Sequence, residues 1–117
     1  MFTDVARVVR ASSLRDSELE VDAIDPAKVE SGDPVVRSLP LHDSDDLAVG
    51  IWQHSTGVST DVEADEIFVV LSGRATVEVA DGPTLELAPG DVGLLPAGAR
   101  TTWTVHETLR KVYVVRP

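Results

Sequence analysis

Apolar residues in this chain fall into short runs broken by turn-forming residues, without a sustained helical rhythm. From Pro34 onward the runs are "VVRSL", "LAVGIW", "EIFVVL", "ATVEVA", "TLEL", "VGLLP", "TTWTV" and "RKVYVV". Each has the length and β-branched or aromatic content of a strand. Ser72-Gly73, Asp81-Gly82-Pro83 and Ala88-Pro89-Gly90 separate several of them and predict turns. Eight short strands with no helical spacer predict an all-β domain, either a sandwich or a barrel. In "ATVEVA" the residues Ala75, Val77 and Val79 alternate with Thr76, Glu78 and Ala80, which predicts a sheet with one wet face. "IFVVL" is apolar at every position, so its second face is expected to be covered by a partner, most simply a second copy in a homodimer.

Residues 1–33 carry neither the two-residue nor a convincing helical period. They read as an N-terminal extended arm in which Asp25-Pro26 caps a short helical turn through residue 30, laid over a sheet edge or a neighbouring subunit. Residues 34–117 then form the barrel.

Composition narrows the function. A chain of 117 residues with 43% apolar and 26% charged residues suits one globular domain. Twenty acidic residues against ten basic ones, with no basic run, argue against a nucleic-acid partner. The absence of cysteine rules out disulfides, thiol nucleophiles and iron–sulfur clusters. "MFTDVARVVR" lacks the apolar core of a secretory signal and no stretch has the length of a membrane span, so a cytoplasmic protein with no membrane partner is expected.

Two spacings carry a resemblance. Glu66, six residues and Gly73 match the end of the first cupin motif; Gly90, five residues, Pro96, one residue and Gly98 match most of the second. The chain resembles the small single-domain cupins (RmlC-like jelly rolls) related to the cupin domains of ureidoglycine aminohydrolase and of an ethanolamine-utilisation protein. The residues that carry this likeness are Gly50-Ile51-Trp52, Asp65-Glu66, Leu71-Ser72-Gly73, Pro89-Gly90-Asp91, Leu95-Pro96-Ala97-Gly98, Thr102-Trp103-Thr104-Val105 and Glu107 through Tyr113. The resemblance implies a double-stranded β-helix, or jelly-roll cupin barrel, with an N-terminal arm.

Metal-binding cupins add two histidines shortly before the glutamate and a third after the Pro-x-Gly. Here those positions hold Ser59 and Asp61, or Thr60 and Val62, and then Thr101. Only Glu66 remains, with Asp61 as a second oxygen ligand if the site binds metal at all, and His42, His54 and His106 do not converge by strand parity. No metal and no cofactor are expected; weak metal binding supported by Asp61, Glu66 or His54 stays open.

The expected pocket has Glu66 and Lys111 as acid/base partners, with Trp52, Phe68, Thr101, Trp103 and Tyr113 contacting a ligand. The expected function is binding of a small molecule, extending in its stronger form to a metal-independent enzyme acting on a nitrogenous or sugar-like metabolite. The alternative is a non-enzymatic cupin for ligand sensing or oligomerisation, because fold alone does not choose.

Overall fold

Two long strands that lie side by side along their whole length organise the molecule, a computed structural model describing residues 6–117. In chain order the elements are helix α1 (Ala11–Asp16) and strands β1 (Glu20–Asp22), β2 (Val29–Gly32), β3 (Val36–Asp43), β4 (Ala48–His54), β5 (Gly57–Val62), β6 (Asp65–Val79), β7 (Thr84–Leu87), β8 (Val92–Leu95) and β9 (Arg100–Arg116). The sheet runs β1-β3-β4-β9-β5-β2, and β6 joins it through β9 while also pairing β7 and β8.

Each long strand serves two neighbours in succession. The first half of β9 pairs with β5 and its second half with β4. The first half of β6 pairs with β8 and its second half with β7. Register shifts between Val70 and Ala75 bend the β6–β9 ribbon where it passes from one set of neighbours to the other. This curls the sheet into the expected jelly-roll barrel.

The strand count differs from the sequence expectation for a local reason. "EIFVVL" and "ATVEVA" are one strand, as are "TTWTV" and "RKVYVV". Ser72-Gly73 is a bulge within β6 and does not reverse the chain. Gly73 has φ +88°, and a Cβ there would overlap the carbonyl of Thr108 on β9. The close approach of two backbones, and not a hairpin, is what the glycine serves. A further strand, β5, comes from "GVSTDV", whose polar inward residues hide its alternation.

The arm enters the sheet at both margins. β1 pairs with β3, and β2 pairs with β5. The predicted helical turn is a 3-10 turn over Pro26–Lys28, where Asp25 accepts a hydrogen bond from the Ala27 N–H at 2.9 Å; it ends at Lys28 because Val29 begins β2. Helix α1, not expected from the sequence, lies against β6 and is reached by Arg110 of β9. Arg110 explains its placement: the guanidinium donates to the carbonyls of Leu14, Arg15 and Ser17 at 2.9, 2.6 and 2.9 Å and to Gln53 at 3.1 Å. A cation at the C-terminal end of a helix satisfies carbonyls that lack intrahelical partners.

The barrel interior is a cluster of Phe68, Val70, Ala75, Val77, Leu87, Leu95, Trp103, Val105 and Leu109, all buried. Alternation along β9 buries Thr101, Trp103 and Val105 and leaves His106 exposed, as strand parity predicts. The apolar cluster extends to Phe68 and Trp103, and polar side chains gather on the far side of those two rings, around Lys111.

Candidate functional site

Among these polar side chains is a cavity of about 300 Å³. Trp52 and His54 reach it from β4, Ser59 and Asp61 from β5, Glu66 from β6, and Trp103, Lys111 and Tyr113 from β9. Glu63 enters from the connection between β5 and β6. Ile24, Asp25 and Lys28 of the arm complete the rim, and Lys28 holds Asp61 at 3.0 Å. Both groups of that ion pair are about half exposed, so it contributes little to stability. Its effect is to place the arm beside the opening.

Lys111 and Glu66 form the floor. The ammonium lies 2.7 Å from Glu66 Oε2, and the two residues are only 4% and 9% exposed. Three ring faces surround the same nitrogen, with centroids 4.5 Å away for Trp52, 4.5 Å for Phe68 and 4.6 Å for Trp103. Aromatic quadrupoles and one carboxylate replace the water the ammonium gives up, each ring contributing about 0.5–2 kcal/mol. Burial pushes the Glu66 carboxyl above the usual carboxylate range, against the opposing pull of Lys111. Tyr113 is also pushed up by burial.

Glu63 is fixed from behind. Its Oε2 accepts from the Thr101 hydroxyl at 2.6 Å and from the Trp103 indole N–H at 3.1 Å. Among the described residues no hydrogen bond reaches its other oxygen. His54 is buried and spans two partners, with Nδ1 2.6 Å from the Ser55 carbonyl and Nε2 2.8 Å from Ser59 Oγ. Burial lowers its pKa, and the charge of Lys111 lowers it further.

Of the residues singled out in the sequence, Glu66, Lys111, Trp52, Trp103 and Tyr113 meet at this cavity. Phe68 and Thr101 do not line it. Phe68 is 1% exposed and forms one wall of the cage around the ammonium. Thr101 is turned toward Glu63 and positions that carboxylate. Strand parity gives the inward face of both residues but not their depth along the barrel.

Sequence reasoning passed over Glu63 and the pairing of His54 with Ser59, which it named only as a position where metal-binding cupins carry a histidine. Glu63 lies in the polar stretch "DVEADE", where no period marks one acid above another. Ser59 could have been placed by reading "GVSTDV" as a strand with polar inner positions.

The residues present do not fit the metal site of other cupins. Glu66 is committed to an ammonium, Thr101 to Glu63, and both ring nitrogens of His54 to partners inside the protein. Among the described residues no group of three or more His, Cys, Asp or Glu is arranged to hold a metal ion. No helix among them is long and apolar enough to cross a membrane.

The family model for the EutQ-like cupin domain matches residues 41–113. Among solved structures the chain is similar to the EutQ protein of Clostridium difficile, at 23% identity over 77% of this chain and 75% of that one, with a TM-score of 0.64. It is also similar to a putative ethanolamine utilization protein Q from Salmonella typhimurium, at 24% identity over 86% and 94% of the two chains and a TM-score of 0.63. A Pseudomonas syringae protein of unknown function is 26% identical, with 86% of this chain and 45% of that one covered and a TM-score of 0.74. No curated protein matches the chain in sequence.

Proposed function

This chain belongs to the family of EutQ-like cupin domains, and from that premise we propose that its cavity binds a small nitrogenous molecule, with Glu63 as the anchoring carboxylate. The observation that carries this reading is the half-satisfied carboxylate: one oxygen held by Thr101 and Trp103, the other without a donor among the described residues. A fixed acceptor of that kind favours an N–H or ammonium donor. Two indoles with centroids 5.6 Å apart give flat apolar walls, and the volume suits a metabolite rather than a polymer. Four acids against two lysines on the lining disfavour an anion. The likeness of the barrel to proteins named for ethanolamine utilisation makes an amine of that size a natural first probe.

Within the same proposal, Glu66 and Lys111 orient the polar atoms of the ligand from below. Proton transfer by this pair is the stronger claim, supported by a carboxyl whose pKa burial raises. Titration with ethanolamine, a ureide and glucose tests the binding claim. The expected result is saturable quenching of Trp52 and Trp103 fluorescence by the amine or the ureide, with Glu63→Gln weakening it about tenfold or more, the loss of one charge-assisted hydrogen bond. No quenching by either nitrogenous probe, or equal binding by the Gln variant, would overturn it.

A homodimer is also proposed, on a separate surface. Ile67 and Val69 of β6, Val92 and Leu94 of β8 and Val114 of β9 are 37–69% exposed. They are register neighbours: Ile67 faces Leu94 and Val114, and Val69 faces Val92. Asp65 and Arg116 sit opposite each other at one end of the patch, a pair of charges that a two-fold axis would match between copies. Light scattering is expected to return two chain masses for the wild type and one for Leu94→Lys. A single chain mass for the wild type across a wide concentration range would sink the dimer.

A further inference from the structure

His54 and Ser59 form a hydrogen-bonded chain whose proton positions follow from chemistry. A backbone carbonyl only accepts, so the contact of 2.6 Å between His54 Nδ1 and the Ser55 oxygen places the proton on Nδ1. Burial keeps the ring in its neutral form, which leaves Nε2 as a lone pair. The only proton available for the contact of 2.8 Å at Nε2 is then that of the Ser59 hydroxyl. The result is a hydroxyl donating to an imidazole, which in turn donates to a fixed acceptor. A nucleophile, a base and an orienting group stand in this same relation in serine hydrolases, with the orienting carboxylate replaced here by a main-chain carbonyl. Both side chains line the cavity, and Ser59 is 7% exposed.

We propose that the cavity carries an acyl-transfer centre in which Ser59 is the nucleophile, His54 its general base and the Ser55 carbonyl the group that orients the ring, acting on small carboxylic esters. The proposal rests on the cavity being a ligand site, as argued above, and adds a reaction to it. As Ser59 Oγ bonds to the ester carbonyl carbon, its proton passes to His54 Nε2. Collapse of the tetrahedral intermediate breaks the bond to the alkoxide, which leaves as an alcohol carrying that proton. Water then attacks the acyl-serine, giving its proton to Nε2. Ser59 Oγ leaves the acyl carbon and takes the proton back, and the carboxylic acid departs. The sum is ester plus water to acid plus alcohol. Glu63 and the acidic rim favour esters that are neutral or carry an amine.

The alternative is a static hydrogen bond that satisfies two buried polar groups. p-Nitrophenyl acetate separates the two readings. With the wild type, the expected outcome is one acetyl group per chain, mapped by peptide mass spectrometry to Ser59, and about one equivalent of p-nitrophenol released rapidly, since acylation precedes deacylation. Ser59→Ala should remove that adduct while keeping the wild-type melting temperature to within a few degrees. His54→Gln should slow its formation about 100-fold or more. Acetyl groups scattered over lysines and Tyr113 with none on Ser59 would overturn the acyl-transfer centre, and this result needs no variant to fold. Amine quenching of the tryptophans alongside an unlabelled Ser59 would overturn the reaction alone; absence of quenching with a labelled Ser59 would overturn only the anchoring role of Glu63.

Discussion

Lys111→Met destabilises the fold by about 3–5 kcal/mol at neutral pH, the range for stranding one partner of a buried ion pair. The substitution keeps the apolar stem against Trp52, Phe68 and Trp103 but leaves the Glu66 carboxylate beside three rings with no cation. Glu66→Gln is milder, because the amide oxygen still accepts from the ammonium. The double variant should be more stable than the sum of the two losses allows, since each partner's removal relieves the other. Chemical denaturation of all four proteins checks the cycle, and additivity within about 0.5 kcal/mol would show the pair uncoupled.

The pH dependence of that deficit has a definite sign. Burial already raises the Glu66 pKa, and Lys111 is what restrains the rise. Without Lys111 the folded-state pKa climbs further above the unfolded one, so the folded protein binds the proton more tightly. Such a group contributes stability that is fully present below its unfolded-state pKa and is lost as pH rises from there through the folded-state pKa. The deficit of Lys111→Met therefore shrinks as pH falls toward the acid range and widens as pH rises. His54 acts in the same direction. Lys111 depresses its pKa, so removing the lysine eases protonation of the folded protein at low pH.

Gly73→Ala is expected to cost about 3 kcal/mol or more. Two effects combine at this site: a left-handed backbone, which costs a β-carbon about 1–3 kcal/mol, and overlap with the main chain of Thr108. Main chain inside a paired ribbon has little room to move. Gly98 separates the two effects, because it has φ +86° with nothing within 4 Å of the added carbon. Gly98→Ala should cost only the conformational part, about 1 kcal/mol. Equal losses at the two glycines in urea melts would mean that β6 and β9 part easily at the bulge.

The glycine also illustrates what the sequence conveyed. Alternation predicted an all-β domain and the shared face of Ala75 and Val77, because apolar burial repeats every two residues; the barrel and the inward Lys111 came from the cupin resemblance. Gly73 was visible as a special residue but not as a bulge, since a bulge depends on what the partner strand brings opposite it. β5 escaped notice because the cavity is built from it: Ser59 and Asp61 occupy positions where a strand facing only a core would carry valine. Nothing in the sequence marks Arg110, which alternation places on the strand face opposite Lys111. It is buried because the carbonyls of α1, nearly a whole domain away in sequence, come to it. Glu63 depended on tertiary placement of the same kind, its significance lying in Thr101 and Trp103.

The position of β9 between β4, β5 and β6 also bears on how quickly the protein reaches its native state. Until residues 100–116 are in place, β4 and β5 have no common neighbour and the first half of β6 is paired only with β8. Each of these pairings closes a large loop before any contact rewards it, so folding should be slow for the chain's size, in the range of milliseconds to seconds. During that interval the strands that await β9 expose unpaired main-chain edges, and aggregation from the nascent or refolding chain should depend on protein concentration far more than the stability of the finished barrel would suggest.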